Sequence, residues 1–425
     1  MSFLNWTMSQ ARRVSHFLII VVTFSLAIVL GQYSTELVEY QQVSKIRVAL
    51  DCDEAHLSVC IQRQLLYRAS LSLFGLFAVL CILSRFSSWA DRSFWPVKFA
   101  AAIGMFGALL WVDNATFATW ASCSQILSFF WLLAQGLLVL ELGYLIHDVI
   151  MQAAANEERK SNGDSRTYLV IYLLCSCALL SFVVVGLVFL FSASYSGCAL
   201  GRFFSITTVV VGVLSTLVSL LHVVNKGLLT PLMMFSYSVV MCWYSLLSSP
   251  DVKCNPSANA TRSSLVNASI AIMASISAAI ILFCVCWGSK ILQIFNPNGE
   301  PLLGSGGDDD ARRDLEVVLV GKEGGATKKV SKLPYTTTPA GAEEHGEDQD
   351  SESRPQERMF FHALMALASA FFGMVLTSFG AADGSPTSQN VEASNESLWL
   401  KISAQWIFLG LYAKTLHAAY ISNSD

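Results

Sequence analysis

Ten apolar runs, each about twenty residues long and nearly free of charge, set the terms on which this chain folds. They cover residues 14–32, 65–84, 94–112, 117–140, 168–192, 203–224, 228–247, 266–287, 360–379 and 398–419, half of the 425 residues. Only four formally charged side chains fall inside them, Arg68, Lys98, Lys401 and Lys414, and none is acidic. A run of about 20 residues matches a hydrocarbon layer of roughly 30 Å at about 1.5 Å rise per helical residue. In lipid the backbone amides must be satisfied within the segment, so each run is expected to be a helix. Charged residues make up 14% of the chain, against about 25% for water-soluble domains. A soluble enzyme, a disordered chain and a disulfide-stapled secreted domain are thereby excluded. The formal charge of -4 and the lack of a basic block leave nucleic-acid binding without support. The expected fold is all-α, a polytopic bundle of ten transmembrane helices.

Arg12 and Arg13 before the first run resemble the start of a signal peptide, but residues 14–31 are uncharged without a small-x-small cleavage site, which favours a retained helix. Ten spans place both termini on one side. Connections 85–93, 141–167 and 225–227 carry Arg85, Arg92, Arg159, Lys160, Arg166 and Lys226, whereas 113–116 and 380–397 carry no Lys or Arg. The positive-inside rule therefore favours cytosolic termini, although Lys45, Arg47 and Arg63 lie on the opposite side. With that orientation the sequons at Asn114, Asn259 and Asn395 fall on or near non-cytosolic connections and are candidates for glycosylation. Cys52, Cys60, Cys198 and Cys254 fall on the same side, where disulfides persist, with three connectivities open. Residues 1–287 then carry spans one to eight, and 359–425 carry spans nine and ten. The intervening segment 288–358 is strongly polar, with 14 acidic and 8 basic residues from 296 onward. It is expected to be a disordered acidic cytosolic loop, since it buries too little apolar area to fold alone.

Polar groups at membrane depth are costly and are functional candidates by default. Lys98, near the cytosolic end of the third span, comes to the depth of Glu141 at the end of the fourth. The two form a candidate pair; alternatively Lys98 snorkels to headgroups and Glu141 is exposed. Gln135, six residues before Glu141, serves either as interhelical glue or as part of a polar path. His362 shares the depth of Lys98, and Arg68 and Lys401 lie near the outer ends of their spans, where headgroup phosphates can receive them. Helix continued from Phe117 to Glu157 would measure about 60 Å, twice the hydrocarbon thickness, so the fourth helix must tilt steeply or project. Small residues at Ala100, Gly104 and Ala108, and at Ala366 and Ala370, mark candidate helix-packing faces. Enzyme and cofactor motifs are lacking: there is no H-E-x-x-H, G-x-S-x-G, phosphate loop or dinucleotide fingerprint.

Several stretches resemble the serine incorporator (Serinc) family. They are Tyr67-Arg68, Phe94-Trp95 with Lys98-Phe99, Gln135 with Glu141, Ser245 to Pro250 followed by Cys254-Asn255-Pro256, Phe361-His362 through Ser369, Leu376-Thr377-Ser378, and Trp399 to Trp406 followed by Leu411-Tyr412 and Thr415-Leu416. The Cys-rich segment that usually precedes the family's first span is missing, and Glu141 stands where the family usually has Asp. The resemblance implies a ten-span protein of the plasma membrane or endomembrane system, with a long tilted fourth helix separating two subdomains. It also implies passive movement of phospholipids between leaflets, or an accessory role in incorporating serine into phosphatidylserine and sphingolipids. Partners would then be membrane phospholipids or lipid-synthesis enzymes. An ion-coupled transporter is disfavoured by the lack of mid-membrane acids and of Gly/Pro-broken paired spans.

Overall fold

A computed structural model describes residues 8–33, 52, 57–87, 95–160, 166–192, 198–221, 227–249, 251, 253–255, 262–287, 355–379 and 395–424. They form ten helices: α1 (Met8–Gln32), α2 (Leu57–Phe86), α3 (Trp95–Leu109), α4 (Asn114–Lys160), α5 (Arg166–Leu190), α6 (Ala199–Leu220), α7 (Leu229–Leu246), α8 (Arg262–Trp287), α9 (Pro355–Leu376) and α10 (Asn395–Ser424). Each coincides with one apolar run, and eight are long and apolar enough to cross a membrane. The other two are α3, apolar but only 15 residues long, and α10, 30 residues long and more polar. The polar segment 288–358 lies outside the described residues except for its last four, which begin α9. Asn259 also lies outside them.

The 47 residues of α4 correspond to about 70 Å of helix. This helix contacts α2, α5, α7, α8, α9 and α10. α2 and α9 form the tightest pair, joined by α1, α3 and α8 on one side of α4, while α5, α6, α7 and α10 pack together on the other. The larger apolar cluster crosses this division, since it also takes in Met241 of α7 and Phe408 of α10. It runs from Ile19 of α1 through Leu73, Trp131 and Phe371, and a smaller one gathers Val183, Phe204, Phe235, Leu246 and Ile402.

Small residues permit the close approach of α2 and α9. A Cβ built at Gly373 would lie 2.6 Å from Ser70 Oγ, and that hydroxyl donates to the Ser369 carbonyl at 3.1 Å. Ala366 and Ala370 are buried as their spacing implied. Ala100, Gly104 and Ala108 are not: all three are exposed, and a Cβ at Gly104 would meet nothing within 4 Å. α3 instead packs through Lys98, Ala102 and Phe106, a parallel stripe at the same four-residue spacing. Spacing alone does not distinguish the two stripes; the charge of Lys98, costly against lipid, favours the enclosed one.

Two disulfides, Cys52–Cys60 and Cys198–Cys254, lie at the same end of the bundle and settle the connectivity. That end serves below as a reference, called the disulfide end.

Candidate functional site

The two helix groups meet at the disulfide end around Lys401. This lysine sits within the second turn of α10 and is 3% exposed. Its Nζ donates to Ser248 Oγ at 2.6 Å and lies 3.8 Å from the Tyr244 ring centroid and 4.1 Å from that of Phe379. An ammonium between two aromatic faces is stabilised by their quadrupoles, most strongly where water is excluded. Local sequence explains each wall. α7 ends at Leu246, and the following turn is pinned by Asn255, whose Nδ2 donates to the Leu247 carbonyl at 2.7 Å and the Ser249 carbonyl at 3.1 Å. Cys254, one residue earlier, is tied to Cys198 at the start of α6. Ser248-Ser249 and Cys254-Asn255 are therefore joined in one arrangement that presents Ser248.

Phe379 is placed by a helix stop. The Phe379 amide donates to the Met374 carbonyl at 2.6 Å and the Ser378 amide to the Val375 carbonyl at 3.0 Å, the paired bonds of a Schellman motif. Such a stop needs the left-handed conformation, and Ser378 and Phe379 adopt it with φ of 57° and 56°. Without glycine this costs on the order of 1–2 kcal/mol per residue, and the packing of Phe379 on Tyr244 and Lys401 holds it there. Between these walls lies a small, partly open cleft of about 20 Å³, bordered also by Leu247, Ser269, Ile270, Val375 and Ser378. It is bounded by α7 and α10 from one helix group and by α8 and α9 from the other.

Along α10 the polar character continues inward. Ser397, Lys401, Gln405 and Tyr412 are all buried, and their spacing puts them on one helix face over about 22 Å. Gln405 Nε2 donates to Thr208 Oγ1 of α6 at 2.9 Å. The Gln405 Oε1 and the hydroxyls of Tyr412 and Tyr237 are buried without a hydrogen-bond partner among the described residues. On the other side of α4, Gln135 accepts from Ser277 Oγ at 3.4 Å, and Ser277 in turn accepts from Trp131 Nε1 at 3.4 Å. Gln135 thus joins α4 to α8, with its Nε2 without a hydrogen-bond partner among the described residues.

The structure assigns Arg68 a different place from the headgroup contact expected of it. Its side chain is fully buried. Nε donates to the Leu109 carbonyl at 3.0 Å, Nη1 to Gln64 Oε1 at 2.6 Å and the Gln64 carbonyl at 3.2 Å, and Nη2 to the Val112 carbonyl at 2.9 Å and Asn114 Oδ1 at 2.8 Å. The guanidinium also lies 4.1 Å from the Phe117 ring centroid. It closes the end of α3 and the start of α4 by taking up their terminal oxygens, so no phosphate reaches it. Asn114 is corrected by the same contacts. Its amide is buried and engaged by Arg68, whereas a glycan acceptor must be exposed. Asn395 is exposed at the start of α10.

At the opposite end Lys98 points inward: it is 5% exposed, so the snorkelling alternative does not hold. Its Nζ is 3.1 Å from His16 Nε2 of α1. The His16 ring meets His362 of α9 edge-on at 5.2 Å and Phe361 at 5.8 Å. Glu141 is half-buried on α4. Lys98 and His362 are thus brought together through His16, which the sequence reading did not single out because it lies in the first turns of an apolar run. Ser248, Tyr244, Phe379, Gln405 and Tyr412 were likewise missed as site residues. For Gln405 a signal existed, a glutamine one turn after the span's lysine; for Phe379 none did.

The family model described as serine incorporator (Serinc) matches residues 1–424. The chain is 23% identical over 412 residues to serine incorporator 3 of Bos taurus, covering 88% of this chain and 81% of that protein. It is 22% identical over 360 residues to serine incorporator 3 of Mus musculus, covering 78% and 71%. A probable serine incorporator of Nematostella vectensis is 23% identical over 374 residues, covering 83% and 78%. An all-helical chain whose apolar helices divide about one long central helix, matched over its whole length in this way, belongs to the serine incorporator family.

Proposed function

We propose that this protein is a non-enzymatic membrane protein that lets phospholipid headgroups pass between leaflets without energy input. The observation that carries the reading is the buried polar face of α10, Ser397, Lys401, Gln405 and Tyr412, running inward from a cleft where the two helix groups meet. Unpartnered polar atoms inside a membrane protein cost free energy, and Gln405 Oε1 and the Tyr412 hydroxyl, without a hydrogen-bond partner among the described residues, lie along the depth a headgroup would travel. Five of the six groove candidates read from the sequence, Arg68, Lys98, Gln135, His362 and Lys401, are buried. The polar face is therefore closed in this conformation, and passage requires the helices along α10 to part. Reconstitution in liposomes with acyl-chain-labelled phospholipids tests the reading. Leaflet exchange faster than in protein-free vesicles is expected; equal rates refute it.

A second reading, an accessory of lipid synthesis that supplies serine, is favoured by the names of the relatives, serine incorporator 3 and probable serine incorporator. Radiolabelled serine binding and copurification of a lipid synthase would support it, and the lack of both would remove it.

We also propose that both termini are cytosolic. The two disulfides share one end, which suits an oxidising compartment, and Arg85, at the far end of α2 from Cys60, suits the cytosolic side. Protease protection of a C-terminal tag in sealed right-side-out vesicles is the expected result; digestion from outside reverses the orientation.

A further inference from the structure

We propose that His16 and Lys98 form a proton-operated latch between α1 and α3, which opens when His16 takes up a proton from the side opposite the disulfides. The inference goes beyond the leaflet-exchange reading and does not depend on it.

α3 is lightly held. It packs chiefly on α2 and α1, and of its 15 residues Lys98, Ala102 and Phe106 are buried. At the disulfide end Arg68 grips the carbonyls of Leu109 and Val112. At the other end Lys98 Nζ lies 3.1 Å from His16 Nε2, and the two side chains are 5% and 1% exposed. An ammonium has donors only, so Nε2 is the acceptor and the imidazole proton sits on Nδ1. The shared position favours a charged lysine and a neutral histidine, because an amine ordinarily holds its proton more tightly than an imidazole by about four pH units. With three donors, the ammonium keeps this bond alongside any others it makes.

A second proton on His16 puts an N–H where the lone pair was and sets two like charges 3.1 Å apart in an enclosed place. Neither charge is rehydrated there, so the pair separates. Lys98 is the fourth residue of α3, and its flexible stem can carry the ammonium out to water at that helix end. This end of α3 then swings away from α1 while Arg68 holds the other. The His16 ring is enclosed by Phe77 of α2 and by Phe361 and His362 of α9. The neighbouring elements bring further ionisable groups to the same end: Arg13 of α1, Arg85 of α2, Glu141 of α4, Cys284 of α8, and Glu357 and Arg358 of α9. Arginine keeps its charge throughout, and carboxylates and thiols ordinarily titrate below and above the imidazole range. Imidazole is thus the group type that changes charge between about pH 5 and 8. Of the two imidazoles here, His16 is the one whose nitrogen accepts from Lys98.

Hydrogen exchange of the full chain in detergent tests the latch, read by mass spectrometry as protection factors so that the intrinsic pH dependence of exchange is removed. An opening coupled to uptake of one proton becomes about tenfold more populated per pH unit. Protection of Val97 to Ala102 in α3 should therefore fall by up to about tenfold per unit as the pH is lowered from about 7 to about 5. Protection of α6, which carries no His, Asp or Glu, should stay constant. His16→Gln offers Lys98 an amide oxygen that takes up no proton, and should keep α3 protected at both pH values. Lys98→Gln leaves no like charge opposite a protonated His16 and should also remove the pH dependence. His362→Gln and Glu141→Gln should retain it. Unchanged protection of α3 in the unsubstituted protein overturns the proposal without any variant, and so does an equal loss in α3 and α6. A loss that persists in His16→Gln or Lys98→Gln, or that disappears in His362→Gln or Glu141→Gln, overturns the assignment to His16.

Discussion

Replacing Arg68 with lysine keeps its charge and removes its shape. The guanidinium has five N–H donors in a fixed fork, and all three of its nitrogens are engaged with five oxygens of Leu109, Gln64, Val112 and Asn114. A lysine ammonium has three donors on one nitrogen, which cannot stand within bonding distance of oxygens gathered from α2, the end of α3 and the start of α4. At least two acceptors then lose their partner in a site closed to solvent, at about 1–2 kcal/mol each, or about 2–4 kcal/mol in all. For a chain of 425 residues that corresponds to a fall of about 2–5 °C in melting temperature. Unfolding in detergent, followed by tryptophan fluorescence or by the loss of the monodisperse peak on size exclusion, reads the change. Arg68→Met, which supplies no donor to any of the five oxygens, should lose more. If Arg68→Lys melts within about 1 °C of the parent while Arg68→Met is crippled, only the charge matters and the fork is not what joins α3 to α4.

Other substitutions test separate parts of the structure. Ser378→Gly relieves a left-handed position in the stop of α9 and should stabilise the protein by about 1 kcal/mol, read as a higher melting temperature; a lower one would place the strain elsewhere. Replacing Cys198 and Cys254 together by serine opens a loop of sequence separation 56 and should cost up to about 4 kcal/mol, whereas the pair Cys52 and Cys60, with separation 8, should cost up to about 2.5 kcal/mol. Denaturant midpoints of the two double variants check the order, and a larger loss for the shorter loop would refute it. Thr116→Ala destroys the Asn114 sequon without touching the Asn114 amide. The glycosidase-sensitive mass of the expressed protein should not change, and a lost glycan would show Asn114 to be exposed when the chain is modified.

Periodicity and hydropathy were enough to locate the helices because lipid leaves the backbone so few choices. Every apolar run became one helix, and a central helix twice the thickness of the bilayer was legible from the lack of a break between Phe117 and Glu157. The site residues were legible only by depth. Lys401 and Gln135 stand out because charge and amide are rare in such runs, but what they contact depends on helices far away in the chain. Tyr244 and Phe379 are ordinary aromatic residues in sequence, and become a cage only when α7 and the end of α9 close on α10. Lys98 faced several partners of equal depth, and the rotation of α3, set by which of two stripes packs inward, brought it to His16. The Asn114 sequon was a correct motif at an unsuitable place, since a three-residue pattern carries no information about an arginine 46 positions earlier.

By itself the sequence determined that this chain lives in a membrane, that it crosses as helices, and that a handful of polar groups must be sheltered there, because the cost of exposing amides or charges to hydrocarbon is larger than any packing preference. Tertiary structure alone decided which shelters they found: Arg68 saturated at a helix junction, Lys98 turned to His16, and Lys401 held between two rings where the helix groups meet. Those choices hinge on side-chain contacts of a few ångströms between distant segments, and helix rotation and crossing, which set such contacts, are fixed by the packing of all ten helices together.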